Sequence, residues 1–368
     1  MSASIIRVAL ILLAMKDHDF LMSEPLTIFV YEHLTSGAYS DLPIDSSLVV
    51  EGRAMVDAII ADFASLPNVS VITMRRDGIL ELQMDGVTTH TVHSYDEATA
   101  IYQHCCTVAN RLLIIAPESD GVLQEVLIET RQHRPFVTIN CFDRALQIGC
   151  DKWELAKFCQ EAEIPHIPTA LWMGQGVECS YPAIIKPRDG AGCEGVIVVH
   201  ADSVASDIMT DGSLIVQPLF KGVSLSSAAC FSSTGECLLT LPLGAQHINI
   251  ADTVEYQGGT IPWRNEFSTE ANRQANEIWA SLERQLVGLW GYVSIDWIWE
   301  AEAKTLQLVE LNPRLTTSYV GYRQLFGHEI TKAMLEMPCE IDTRELAQVS
   351  FTVDGVLNCS GSMTTRQP

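Results

Sequence analysis

Basic residues are scarce in this chain: 23 Lys and Arg stand against 46 Asp and Glu in 368 residues, a formal net charge of -23. That balance argues against nucleic acid or an anionic membrane as the main partner. Any bound polyphosphate has to be held by a few local cations, a metal ion and backbone amides. Cysteine is present but lacks metal or disulfide spacing. The eleven residues are scattered, odd in number and without a Cys-x-x-Cys pair, and Cys105 and Cys106 are adjacent, which fits a reducing, cytoplasmic setting. Long apolar runs are lacking too. Ile5 to Met15 covers eleven residues with one Arg among them and no small-residue cleavage site behind, too short for a bilayer and poorly formed as a secretion signal. Residues 1–25 read as a disordered or mis-started leader, with Met22 as an alternative start and the folded chain beginning near Leu26. The sequence has no internal repeat and no low-complexity tract.

What is present is apolar patterning. A hydrophobic content of 47% can supply cores for two or three domains. From Leu26 the chain alternates strand LTIFVY, helix from about Leu48 to Leu66, strand VSVITM, helix Tyr95 to Asn110, strand RLLIIA, helix from about Asp120 to Gln132, and strand FVTI. This predicts a doubly wound α/β domain over 26–140, with a parallel sheet and ligand-lining loops at the carboxyl ends of its strands. Two such loops are Thr35-Ser36-Gly37 and Ala116-Pro117-Glu118, where Glu118 is either a first-turn residue favoured by the helix dipole or a substrate contact. Residues 141–345 change style. Two helical stretches, CFDRALQIG and DKWELAKFCQEA, lead into β-rich α+β sequence (YPAIIK, GVIVVH, SLIVQPLF, VSLSSAACFS, ECLLTLPLG) and then a long helix from about Thr269 to Leu289. Residues 346–368 read as a C-terminal tail, loosely ordered after Asp354.

Chemistry concentrates in GYVSIDWIWE and LQLVELNPR, which alternate as strands do and are joined by a short turn from Ala301 to Lys304. If the hairpin pivots near Ala303, Asp296 lies across from Glu310, with Asn312 following on the same face. Like charges so placed destabilise unless a cation sits between them. Two carboxylates and an amide suit a hard ion such as magnesium, with manganese as an alternative.

Other segments bear on an anion. Lys186 opens KPRDGAGCEGV, whose Gly190, Gly192 and Gly195 allow a tight loop with backbone N–H groups facing phosphate oxygens, or a flexible hairpin tip. It is neither a Walker loop nor a Rossmann turn, because no Gly-Lys-Ser/Thr ends it and a strand follows. Lys152 lies in the first turn of its helix, against the dipole, as an anion ligand or a surface lysine. Gln217-Pro218-Leu219-Phe220 ends a strand with a proline that bends it, leaving backbone groups for a purine edge or simply closing the strand. Arg314 sets its planar fork beside the metal face, for bidentate anion contact or a salt bridge. His247 and Arg264 are weaker anion candidates.

Taken in order, Lys152, Lys186 with its glycine loop, IVQPLFKG, Asp296 and ELNPR resemble the ATP-grasp superfamily. The resemblance implies an ATP-grasp fold of two α+β subdomains behind a pre-ATP-grasp domain, with ATP between the subdomains. It implies that Lys152, Lys186, Gly190 and Gly192 meet the phosphates, that Gln217, Pro218, Leu219 and Lys221 form the adenine hinge, and that Asp296, Glu310 and Asn312 hold magnesium. Over roughly residues 26–335, FVYEHLTSG, VVEGRAMVDAIIADF, IIAPE, VSLSS, GYVSID and ELNPRLTTSYVGYR look like the tyramine–glutamate ligase family of methanofuran-type cofactor synthesis. That family joins the γ-carboxylate of glutamate to the amine of tyramine. Three departures stand out. Lys221 replaces an acidic residue suited to ribose hydroxyls, Val223 replaces a Glu after the hinge glycine, and the leader has no counterpart.

The expected reaction follows from carboxylate chemistry. A carboxylate is a poor acyl donor because its leaving group would be oxide, so phosphorylation to an acyl phosphate precedes attack by the amine. No Ser/His/Asp or Cys/His set is needed. Positioning and cationic stabilisation of the phosphoryl group suffice, with Lys186 and Arg314 as the catalytic residues and Arg314 on the carboxylate. Glutamate and a phenolic amine, tyramine or tyrosine, are the expected substrates. An ATP-grasp ligase for another amino acid pair and a nucleotide-binding protein without turnover are the alternatives, the latter suggested by Lys221 and Val223. Dimers are common among such ligases, so a homodimer is compatible with this reading, but the sequence does not give the oligomeric state.

Overall fold

The computed structural model describes residues 25–38, 42–135, 137–174, 179–200, 208–250 and 254–360. Residues 1–24 of the expected leader and 361–368 of the expected tail lie outside them.

A near-continuous apolar run makes β1, Leu26–Glu32, a central strand. It pairs in parallel with β2, Val69–Arg76, which in turn pairs in parallel with β3, Val87–Val92. On its other side it pairs in parallel with β4, Arg111–Ile115, giving the order β3-β2-β1-β4. Both faces are covered. Ile28 and Val30 pack towards the helix Ser47–Ala64, while Phe29 and Tyr31 share a core with the helices Tyr95–Val108 and Val122–His133. The α/β expectation holds, with two corrections. β3 was not expected, because VTTHTV is a half-buried edge strand whose valines stand only at its ends. Of the expected strand FVTI, the described residues 137–139 make no strand: Leu112 exchanges backbone hydrogen bonds with Val137 and Ile139 around a single bridge at Thr138.

Two antiparallel sheets follow. The smaller comprises β5, Ala170–Leu171, β6, Ala183–Pro187, β7, Ile197–Val199, and β8, Leu214–Pro218, in the order β5-β8-β6-β7. The larger runs through β9, Val223–Phe231, β10, Cys237–Thr240, β11, Gly244–Ile250, β12, Val254–Ile261, β13, Gly291–Glu300, β14, Thr305–Asn312, β15, Gln348–Phe351, and β16, Leu357–Ser360. Its order is β14-β13-β9-β11-β12-β15-β16, with β10 against β9. The expected loose tail is thus ordered through Ser360, because β15 pairs with β12 and β16 closes a hairpin on β15.

One face of the large sheet is apolar and carries the helix Ser268–Gln285, whose Ile278, Trp279 and Leu282 share a core with Val293, Ile295, Trp297 and Trp299. The hydroxyl of Ser227 takes the indole N–H of Trp279 at 3.1 Å and that of Trp297 at 3.0 Å, so one small side chain on β9 satisfies two buried donors. This helix stops four residues short of the expected Leu289. Gly288 stands at φ +98° with its Cα so near the Phe142 carbonyl that a Cβ would lie 2.0 Å from it, and Leu286 is already extended. The opposite, polar face of β13, β14 and β9 is left to the site.

Candidate active site

A turn and a bulge together set the carboxylate face. Glu300 lies opposite Thr305 at the turn, and that register carried inward would put Asp296 opposite Val309. A bulge absorbs one residue, so Trp297 faces Leu308 while Asp296 faces Glu310 and Ser294 faces Asn312. Without it Glu310 would turn to the tryptophan side of the sheet. Asp296 Oδ1 accepts from Gln246 Nε2 at 2.8 Å, and Oδ2 accepts from Asn312 Nδ2 at 3.2 Å.

The lysines arrive from the other subdomain. Asp151 caps the helix Lys152–Glu161, accepting from the N–H groups of Trp153 and Glu154, and is paired with Arg188 just beyond β6. Lys152 donates its backbone N–H to the Arg188 carbonyl at 2.9 Å. This clamp holds Lys152 beside the end of the strand that carries Lys186. Lys152 Nζ lies 2.9 Å from Glu310 Oε1 and also donates to the Gly190 carbonyl, which offsets its unfavourable place on the helix dipole. Both lysines are buried, at 7% and 8% exposure.

Their charges are interlocked. Burial, and then the charge of Glu310, push Asp296 up to about 7. Against the upward push of burial, Lys152 and Lys186 hold Glu310 below the usual carboxylate range. Burial lowers Lys186 in spite of Glu310 beside it. A cation between the carboxylates would remove their repulsion. Among the described residues no three His, Cys, Asp or Glu side chains form a metal cluster, so the donor set is two carboxylates and the amide oxygen of Asn312. These are hard oxygen donors that fit magnesium.

Lys152, Lys186, Gly190, Gly192, Gln217, Pro218, Leu219, Asp296, Glu310, Asn312 and Arg314 line one cavity of about 270 Å³ between the small sheet, the polar face of the large sheet and the N-terminal domain. Lys221 is exposed and lies on an adjoining groove with Val223 and Glu300. At the hinge, Leu219 donates its N–H to the Pro182 carbonyl at 2.8 Å, so its own backbone donor is already taken. Gln217 donates its side-chain amide to Thr169 Oγ1 at 2.9 Å. Arg314 lines the cavity but is tied to Glu118 at 2.7 Å, a buried ion pair in place of either reading of Glu118. His247 is exposed and meets Thr260, and Arg264 donates to the Leu346 carbonyl in a separate groove, so neither reaches the cavity. The Thr35-Ser36 loop is buried against Glu32 and His33 and does not line it either.

Sequence reasoning missed Gln246, Tyr256, Glu51 and Thr317, all on the cavity wall. The first two lie on β11 and β12, whose alternation is interrupted by glycines and a bulge. Glu51 lies on a helix of the other domain, where only the fold could bring it near.

The arrangement of a parallel-sheet domain, a small antiparallel sheet and a large one around a lysine- and carboxylate-lined cavity defines an ATP-grasp fold with a pre-ATP-grasp N-terminal domain. Residues 150–318 match the ATP-grasp domain family and residues 69–134 the pre-ATP-grasp 3 domain family. Solved structures share the fold. An ATP-grasp superfamily protein from Archaeoglobus fulgidus is 22% identical, with 89% of this chain and 92% of that one covered and a TM-score of 0.67. Carboxyaminoimidazole ribonucleotide synthase from Aspergillus clavatus, solved with ATP, is 16% identical over 89% of this chain and 81% of its own, with a TM-score of 0.61. Biotin carboxylase from Campylobacter jejuni, solved as a β-γ-ATP complex, is 14% identical over 88% and 74%, also with a TM-score of 0.61. A search of curated protein sequences gave no significant match. No helix among the described residues is long and apolar enough to cross a membrane.

Proposed function

We propose that the protein is an ATP-dependent carboxylate–amine ligase that forms an amide through an acyl phosphate, joining the γ-carboxylate of glutamate to tyramine or tyrosine in methanofuran-type cofactor synthesis. The observation that carries the reaction class is the single cavity in which Lys152 and Lys186 face Glu310 and Asp296. The choice of substrates rests on the sequence resemblance over residues 26–335.

In this reading Asp296, Glu310 and Asn312 hold magnesium, which when bound draws charge off the transferring phosphoryl group. Lys186 and Lys152 neutralise phosphate oxygens, and their burial makes each charge act through a low dielectric. The γ-carboxylate attacks the terminal phosphorus of ATP and ADP leaves. The amine nitrogen then attacks the acyl carbon, a C–N bond forms, the bond from the acyl carbon to the phosphate oxygen breaks, the nitrogen loses its surplus proton and inorganic phosphate departs. Arg314, on the cavity wall, orients the carboxylate. No side chain forms a covalent intermediate.

The test is magnesium-dependent ADP release across a panel of acids and amines, with mass analysis of the product. Release requiring glutamate together with tyramine or tyrosine, and a γ-linked product, is the expected result. Release with a different acid–amine pair would replace the substrates. No release with any pair would overturn the ligase and leave a nucleotide-binding protein without turnover.

A further inference from the structure

We propose that Glu51 binds the ammonium group of the amine acceptor and takes its proton before attack, an assignment that rests on the ligase reading above. Glu51 is contributed by the helix Ser47–Ala64 of the N-terminal domain, yet it lines the same cavity as Lys186 and Asp296. Its Oε1 accepts from the Thr317 hydroxyl, which ties the carboxylate to the segment after β14 on the cavity wall. Beyond that bond, Glu51 has neither an ion pair nor a second hydrogen bond among the described residues.

Of the other carboxylates that line the cavity, Glu194 is exposed to solvent and the remaining two are engaged. Glu310 holds Lys152, and Asp296 accepts from Gln246 and Asn312. The cation whose charge acts on Glu51 is Arg314, which is paired with Glu118 and makes no ion pair with Glu51. Two of the three reactants, ATP and the acyl donor, present anions to this cavity and are repelled by an unpaired carboxylate. The acceptor amine arrives as an ammonium, as does the spectator α-amino group of glutamate, so Glu51 favours an ammonium over an anion in its place, and a fall shared equally by the tyramine and hydroxylamine reactions would mark the glutamate ammonium as its ligand.

The same side chain solves a chemical problem. An amine arrives as an ammonium, which has no lone pair with which to attack. Glu51 accepts one proton from it, giving a neutral carboxyl and a free amine. The amine lone pair forms the C–N bond, the acyl C–O bond breaks, and the second nitrogen proton leaves with the phosphate. Burial raises the basicity of the Glu51 carboxylate, while Arg314 opposes it. Tyr256 and Cys193, from β12 and the glycine loop, are the other titratable groups within its field.

Hydroxylamine separates this role from the rest of catalysis, because it is uncharged at neutral pH and needs no ammonium ligand or base. Wild type, Glu51→Gln and Glu51→Asp are assayed with glutamate, ATP and magnesium, using tyramine or hydroxylamine as acceptor. For Glu51→Gln the ratio of tyramine to hydroxylamine kcat/KM should fall about 100-fold, in the range of a lost general base. Glu51→Asp should recover part of it. An unchanged ratio overturns the assignment, and so does a fall that Asp and Gln share equally. If wild type forms hydroxamate but no tyramine amide, the acceptor identity fails instead. Ethylammonium inhibition of hydroxamate formation then decides on Glu51: weaker inhibition of Glu51→Gln supports it, and equal inhibition of the two proteins overturns it. No hydroxamate from wild type would overturn the ligase reading and Glu51's role with it.

Discussion

Replacing Arg314 by Ala should destabilise the protein far more than replacing Glu118 by Gln, although the two side chains form one ion pair. Glu118 is 2% exposed and Arg314 12% exposed, so both charges were taken out of water on folding. The contact joins Arg314 Nη2 to Glu118 Oε2, and it leaves Glu118 Oε1 and Arg314 Nε without a hydrogen-bond partner among the described residues. A buried pair with imperfect geometry adds little net stability, but removing one member strands the other charge at a cost of about 3–5 kcal/mol. Arg314→Ala strands Glu118 in this way. Glu118→Gln does not strand Arg314 to the same degree, because Glu51 and Glu310 also act on its guanidinium and an amide oxygen can still accept from it. That loss should be about 1–2 kcal/mol, close to an ordinary hydrogen bond to a charged group. The double variant should then recover about 2 kcal/mol relative to the sum of the singles. Urea denaturation followed by tryptophan fluorescence measures all four proteins. Equal losses for the two single variants, or additivity in the double, would refute the claim that Glu118 depends on Arg314 alone. The consequence for function is practical: an activity loss in Arg314→Ala reports on substrate orientation only if Glu118 is replaced as well.

Three further outcomes follow from the same geometry. Asp296→Asn combined with Glu310→Gln removes both carboxylates of the proposed metal face and should lower magnesium-dependent turnover by at least about 100-fold; full retention would dispose of the metal role. Gly52→Ala places a Cβ 2.7 Å from Glu32 Oε1, a carboxylate pinned by the N–H groups of Leu34 and Thr35. The overpacking costs about 1–3 kcal/mol and should outweigh the ~1 kcal/mol that Ala gains over Gly in a helix, so a raised denaturation midpoint would contradict it. Burial lowers His33 to about 4, so between its unfolded value of about 6.5 and pH 4 the unfolded chain binds more protons. The stability present above pH 6.5 is lost as pH falls through that window, by about 2 kcal/mol at pH 5. His33→Asn should show a smaller loss between pH 7 and pH 5, and an equal loss would exclude His33 as its source.

How much of this was legible depended on whether the deciding contacts were local. Alternation over Val293, Ile295, Trp297 and Trp299 sufficed to place Asp296 on the polar face, and the pairing with Glu310 was correctly expected. Yet the four-residue turn alone gives the neighbouring register. Only the bulge beside Asp296 restores the pair, and no residue type in Leu308-Val309-Glu310 announces it. Lys152 was noticed because it opposes its helix dipole, but the reason it is tolerated lies in Glu310, more than 150 residues away, and in the Asp151–Arg188 clamp. The buried Arg314–Glu118 pair went unseen for the same reason, with Glu118 read as a first-turn residue or a substrate contact and Arg314 as an anion ligand or a salt bridge. β3 escaped notice because an edge strand needs little apolar alternation, and Lys221 was drawn into the site because a linear motif cannot say which side of a hinge a side chain takes.

Glu51 marks where linear reading stops. On its own helix it is a charged residue one position before a glycine, indistinguishable from the solvated face of any amphipathic segment. Gly52 is the better clue. It is small because Glu32, at the end of β1, fills the space where a Cβ would go, so the helix lies close over the carboxyl end of the parallel sheet. Loops and helix starts at that end are where such sheets meet their ligands. The closeness that forbids a side chain at position 52 therefore carries the preceding residue, Glu51, to the cavity wall, where Thr317 fixes it. A larger residue at 52 should lift this helix start and move Glu51 away from Thr317. In a Gly52→Ala protein that still folds, the tyramine reaction should suffer before the hydroxylamine reaction does, and the reverse order would place the defect in the phosphate half of the site.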